Sequence, residues 1–240
     1  MLKIQNLTKI YKGGKTAVDD LSLTVHPGDI YGFIGSNGAG KTTTIKAIVG
    51  INDFDKGTIT VDGKNVRRDP VACKQIMAYI PDNPDLYEYL TGIQYLNFLA
   101  DIYRIPAGER QERIRKETED FGIYDVLGDL VSTYSHGMRQ KLALTGALIH
   151  EPKLLVLDEP FVGLDPEASL TLKEKMRWRC DRGGAIFFST HVLEVGEKLC
   201  TRIAVISGGR LVVEGNTEEV TGDKSLEDVF MEVIGHGKTD

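Results

Sequence analysis

At 240 residues, 41% hydrophobic and 27% charged, the chain has the make-up of an ordinary globular protein with a sizeable core. A formal net charge of −6 and short, acid-flanked basic runs (Arg67-Arg68, Arg113-Ile114-Arg115-Lys116) argue against a nucleic-acid grip. No apolar run reaches membrane-span length, and the first residues lack a signal-peptide pattern. Cys73, Cys180 and Cys200 are too widely spaced for a C-x-x-C motif, so they read as buried apolar residues of a reducing compartment.

Residues 3–7 and 21–25 read as short strands, with Gly13-Gly14 and Pro27-Gly28-Asp29 as turns and the aromatic Tyr11 between them. Residues 30–34 form an unbroken apolar strand. Directly after it, Gly35-Ser36-Asn37-Gly38-Ala39-Gly40-Lys41-Thr42 matches the P-loop pattern G-x-x-x-x-G-K-[ST], and 43–50 read as a helix. That strand–loop–helix context makes the motif specific. Its glycines let successive N–H groups turn inward as an anion cradle at the positive end of a helix. Lys41 is then placed to reach the β- and γ-phosphates, Thr42 to ligate Mg²⁺, and Thr43 follows as a second hydroxyl.

A hairpin-like strand and turn occupy 58–63, and Asp69-Pro70 opens a helix predicted to run to about 77. Residues 78–80 are a short strand halted by Pro81. These pieces suggest an antiparallel sheet beside a parallel, nucleotide-binding one. From 82 to 150 the periodicity is helical. Thr91-Gly92-Ile93-Gln94 is a capping box, and Ile93, Leu96, Leu99, Ala100 and Tyr103 recur on one face. A charged helix covers 108–121, and another begins near 137 with Leu142, Leu144, Ala147 and Leu148.

The α/β rhythm then resumes. Residues 154–157 are a buried strand ending in Asp158-Glu159, and Asp165-Pro166 caps a helix to about 182. Residues 185–188 are another buried strand, ending in Ser189-Thr190-His191. A helix to 200, strands at 202–206 and 210–214, and helices at 217–221 and 226–234 complete the chain. One domain accounts for this: an α/β core at 1–81 and 151–215, a helical subdomain at 82–150 and C-terminal helices at 216–240.

In open α/β sheets ligands sit at the carboxyl ends of the strands. Three strands here end in groups suited to phosphate chemistry. Asp158, after four apolar residues, fits a Mg²⁺ ligand, and Glu159 fits the base that polarises the attacking water. His191 is placed to contact the γ-phosphate. No Asn-Lys-x-Asp guanine-reading segment occurs, which points to ATP rather than GTP.

Together the motifs, with Tyr134-Ser135-His136-Gly137-Met138-Arg139-Gln140 and Gly163-Leu164-Asp165-Pro166 added, resemble the ATP-binding subunit of an ABC transporter over nearly the whole chain. The aromatic-rich insert and the closing Ser225-Leu226-Glu227-Asp228-Val229-Phe230 are similar to bacterial exporter ATPases of that family. The resemblance implies an α/β P-loop NTPase fold: a RecA-like parallel core, an N-terminal antiparallel β subdomain and an inserted α-helical subdomain. It further implies a cytoplasmic ATPase, peripheral on the inner face of the cell membrane, that uses ATP and Mg²⁺ to power export through separate membrane subunits. Those subunits would dock on the 82–103 region, where Leu86-Tyr87-Glu88-Tyr89-Leu90, Tyr95, Phe98 and Tyr103 gather.

A head-to-tail homodimer or heterodimer is also implied, with Ser135 and Gly137 of one subunit meeting the γ-phosphate held by the other. Asp165 would lie at the dimer seam and Tyr11 on adenine. Two departures stand out. His136 replaces a glycine of the usual Leu-Ser-Gly-Gly-Gln signature, which suggests pH-dependent activity. Asp82 stands where the family has a glutamine, so it can accept but cannot donate as an amide does. The alternative is a soluble ATPase of the same type acting on nucleic acid or ribosomes. Such proteins carry paired cassettes, coiled coils or basic arms, none of which this sequence displays.

Overall fold

A computed structural model describes residues 1–235; residues 236–240, the end of the expected C-terminal segment, lie outside the described residues. Strands β1 (Leu2–Ile10) and β2 (Thr16–Val25) pair antiparallel and precede β3 (Ile30–Ile34) and helix α1 (Lys41–Ile48). Next come β4 (Lys56–Val61) and the two-residue β5 (Lys64–Asn65), which join the first two strands in a sheet ordered β2-β1-β4-β5. The first two strands outrun the expected 3–7 and 21–25. Their register shifts at several points between Ile4 and Ile10, and these irregularities carry the pairing past polar residues that interrupt the alternation. At one such point Asn6 and Asp20 both have positive φ, and the Asn6 amide donates to the Asp20 carboxylate at 2.9 Å.

Helix α2 (Pro70–Lys74) is shorter than predicted, because Met77 is buried as the first residue of β6 (Met77–Ile80) rather than the last of the helix. Asp69 occupies its N-cap position, but the carboxylate makes no capping bond. The insert contains α3 (Gly92–Ile102), α4 (Ala107–Asp120) and α5 (His136–Leu148), with two short 3-10 turns between the last two. The Thr91 capping box forms as expected, with both reciprocal bonds present.

After the insert come β7 (Leu154–Asp158), α6 (Pro166–Asp181), β8 (Ala185–Thr190), α7 (Leu193–Leu199), β9 (Arg202–Ser207), β10 (Arg210–Asn216), α8 (Thr217–Thr221) and α9 (Leu226–Gly235). The second sheet runs β10-β9-β3-β8-β7-β6, parallel throughout except for the antiparallel β10 at its edge.

Period-2 alternation divides this sheet's apolar residues between two cores. Ile30, Ile34, Leu155, Leu157, Ile186 and Phe188 pack toward the helices of the insert and α6. Tyr31, Phe33, Leu154, Val156 and Phe187 pack toward α1 and the antiparallel sheet. Burial on both faces explains why β3, β7 and β8 read as unbroken apolar runs. The three cysteines are free and buried, as expected.

Candidate nucleotide-binding site

Residues 35–40 form a tight loop between the carboxyl end of β3 and the start of α1, and close packing dictates two of its glycines, Gly35 and Gly40. A Cβ on Gly35 would lie 2.6 Å from the Ile206 carbonyl oxygen, and one on Gly40 2.5 Å from that of Ala17. Gly40 also has φ +110°, which only glycine adopts without strain, and this lets α1 begin at Lys41, two residues earlier than expected. The Gly208-Gly209 turn braces the loop from behind, the Gly209 N–H donating to the Ala39 carbonyl at 2.9 Å. Lys41 is buried; its Nζ donates to the Gly35 carbonyl at 2.6 Å and lies 3.5 Å from Glu159 Oε1.

Parallel pairing of β7 with β8 sets Asp158 opposite Ser189. The Ser189 hydroxyl donates to Asp158 Oδ1 at 2.5 Å and fixes the orientation of a carboxylate that is only 2% exposed. The Glu159 N–H donates to the same hydroxyl at 3.1 Å and to the Ser189 carbonyl at 3.2 Å. Glu159 sits at φ +49°, in the left-handed region, so the chain turns sharply where its carboxylate leaves the sheet. His191 Nδ1 lies 3.0 Å from Glu159 Oε1, and the His191 N–H donates to Oε2 at 3.4 Å.

A cleft of about 430 Å³ opens over these groups. Of the residues singled out from sequence, Tyr11, Ser36, Asn37, Gly38, Gly40, Lys41, Thr42, Thr43, Asp82, Asp158 and Glu159 line it. Gly35 and Ala39 lie buried in the loop, and His191 reaches the cleft through Glu159. The Tyr11 hydroxyl is 3.3 Å from that of Thr43 and accepts from the Asn52 amide at 3.1 Å, while its ring stays exposed. Ser189, Lys15, Thr16, Ala17 and the Gly208-Gly209 turn were not legible as site residues. Only Ser189, next to Thr190-His191 at a strand end, carried any local signal.

Ser135, His136, Gly137 and Asp165 do not line the cleft; they gather at another surface of the chain. Ser135 caps α5 and accepts from the Met138 N–H at 3.3 Å. Asp165 caps α6 through the Ala168 N–H at 2.8 Å and ion-pairs with Lys141 of α5 at 2.6 Å. The Ala168 N–H, followed by Lys141, holds its carboxyl below the ordinary range. The His136 ring presses on Gly163, where a Cβ would come within 2.7 Å of it and where φ is +80°.

On the insert, Tyr87 packs against Tyr89, Tyr95 and Phe98 with ring centroids 5.9, 6.4 and 5.5 Å away. Tyr87, Tyr89 and Phe98 are exposed. Beside them Leu86, Tyr95, Leu99 and Tyr103 line a groove of about 210 Å³.

A P-loop facing strand-end acids across one cleft defines a P-loop nucleoside triphosphatase. Residues 18–162 match the family model described as ABC transporter. The chain is 37% identical over 226 residues to the uncharacterized ABC transporter ATP-binding protein YhcH of Bacillus subtilis (strain 168), covering 94% of this chain and 73% of that protein. It is 34% identical over 220 residues to the linearmycin resistance ATP-binding protein LnrL of the same organism, covering 92% and 70%. A solved structure of the ATP binding subunit of an ABC transporter superposes with TM-score 0.93 at 31% identity, covering 98% of this chain and 99% of that one. The chain therefore belongs to the ABC transporter family, as an ATP-binding subunit with the family's ATPase activity. Among the described residues no helix is long and apolar enough to cross a membrane.

Proposed function

We propose that the chain hydrolyses ATP as one half of a head-to-tail dimer and drives separate membrane subunits on whose cytoplasmic side it sits. One observation carries this reading. The P-loop, Asp158 and Glu159 share the cleft, whereas Ser135, His136 and Gly137 do not line it. A γ-phosphate held by one copy would be enclosed only when the capped amino end of α5 arrives from a second, offering a serine hydroxyl and helix N–H groups to the anion.

Within one copy the groups divide the work. Lys41, released from Glu159, pairs with the β- and γ-phosphates, and Tyr11 offers its exposed ring to the base. Asp158 and the Thr42 hydroxyl are hard oxygen donors lining one cleft, a donor set that suits Mg²⁺ completed by nucleotide phosphates and water. When bound, the ion would neutralise charge on the transferring phosphoryl group. Glu159 accepts the proton of the attacking water, and His191 orients the carboxylate.

The exposed aromatics of 82–103 and the adjoining groove suit an interface anchor for the membrane subunits. Export is the favoured direction, because one relative is named for linearmycin resistance. Co-expression with the membrane protein encoded nearest its gene provides the test. Recovery of a membrane complex that loses this chain on Tyr89→Asp with Phe98→Asp is expected; recovery of nucleic acid or ribosomes would overturn the transport reading.

A further inference from the structure

Trp178, the single tryptophan of the chain, stands exposed on the last turn of α6. The Arg182 guanidinium lies 4.4 Å above its ring. Trp178, Arg179 and Arg182 line a second cavity, together with Lys153 and the Gly183-Gly184 turn. Its volume, about 430 Å³, equals that of the nucleotide cleft.

The cavity holds a buried cation that forms no direct ion pair among the described residues. Arg179 is only 7% exposed; its Nη1 donates to the Pro152 carbonyl at 2.9 Å, and its buried Nε has no partner. Its stem is pressed onto Gly184, where a Cβ would meet Cγ at 2.8 Å. The acids lining the cavity are already paired, Asp62 with Lys153 of the same cavity at 2.8 Å and Glu151 with Arg113 at 3.4 Å. Glu117, whose field acts most strongly on Arg179, is held by Lys175 at 2.8 Å. Among the described residues neither Arg179 nor Arg182 forms an ion pair. The negative end of α6 accounts for a cation at the exposed Arg182. It does not account for burying Arg179, because a desolvated guanidinium whose nearby carboxylates are held by other cations is unfavourable.

We propose that this cavity binds a phosphate-bearing ligand, with Arg179 at its floor, Arg182 at its rim and Trp178 as the wall for an organic portion. Two unpaired guanidinium groups match a phosphate dianion in charge and in paired-donor geometry. The volume exceeds that of phosphate alone, so the ligand carries more than its anion. The proposal does not depend on the transport reading.

Trp178 makes the test direct, because it is the chain's single fluorescent tryptophan; it also borders a neighbouring cavity beside Lys116 and Lys175, so the variant at Arg182, which lines only the proposed cavity, assigns the change. Titration with inorganic phosphate at constant ionic strength is expected to give a saturable change, kept in Lys41→Ala and at least tenfold weaker in Arg182→Gln, whose ATPase rate stays unchanged. Absence of saturation, loss of the change in Lys41→Ala, or an unaltered curve in Arg182→Gln would overturn the proposal. Arg182 is the chosen position because Arg179 also holds the Pro152 carbonyl. Vesicles containing phosphatidic acid, compared with phosphatidylcholine alone, separate the sources. Tighter, Arg182-dependent binding to the former assigns the phosphate to a lipid headgroup, and response to free phosphate alone assigns it to a soluble ligand.

Discussion

Lys41 Nζ and His191 Nδ1 approach the same oxygen of Glu159, at 3.5 and 3.0 Å. The cation proposed to bind phosphate and the carboxylate proposed as base therefore neutralise each other in this structure. Glu159→Gln should lower phosphate release by roughly 100-fold or more, the scale of general-base catalysis. It should also tighten ATP binding several-fold, because Lys41 no longer has a competing carboxylate. Calorimetry in a Ser135→Ala background, which removes the contribution of dimer closure, checks this. Weaker binding would contradict the pairing.

Tyr11 is held by its hydroxyl, and its half-exposed ring has the Lys9 ammonium 5.4 Å from its centroid on one face, which leaves the other for a base. Aromatic–base stacking contributes about 1–3 kcal/mol. Tyr11→Ala should raise KM for ATP by about tenfold with kcat nearly unchanged, and Tyr11→Trp should restore it. A fall in kcat at constant KM would place Tyr11 elsewhere.

Lys141–Asp165 and His136–Gly163 tie the amino end of α5 to the turn before α6. The half-exposed ion pair itself contributes little to stability, about 0.2–1 kcal/mol. Its expected effect lies in placing Ser135. Lys141→Met should slow ATP turnover while ATP binding to the isolated chain stays unchanged, and Lys141→Arg should rescue it. Gly163→Ala meets both the positive φ and the His136 ring, so it should destabilise the fold by about 1–3 kcal/mol. Part of that loss should return in the double variant with His136→Gly, as read by denaturant melts.

His150 stacks on Tyr103 with centroids 3.5 Å apart, and burial lowers its pKa to about 4. The unfolded chain, with an ordinary imidazole, then binds the proton more readily than the folded one. Stability should be unaffected by this group above pH 6.5, fall as pH drops from 6.5 toward 4, and lose at most about 3 kcal/mol. His150→Phe keeps a ring against Tyr103 and should flatten that part of the stability profile.

What could be read from sequence follows from burial. Strands covered on both faces, β3, β7 and β8, must be apolar throughout, so the P-loop and Asp158-Glu159 could be located at their ends. The antiparallel strands were cut short in prediction because Asn6 and Asp20 satisfy each other across a break in register, a pairing invisible along either strand. The role of Ser189 was hidden for a similar reason. Its role comes from lying opposite Asp158, which only strand register reveals. The Lys141–Asp165 tie joins two helices from different parts of the fold, and no local pattern announces it.

The central claim is that the site becomes whole only between two copies. Light scattering on Glu159→Gln with ATP and Mg²⁺ tests it most directly. The account predicts a stable dimer that reverts to monomer on Ser135→Ala or when ATP is replaced by ADP. A Glu159→Gln chain that stays monomeric with ATP bound, or a dimer indifferent to Ser135, would contradict it.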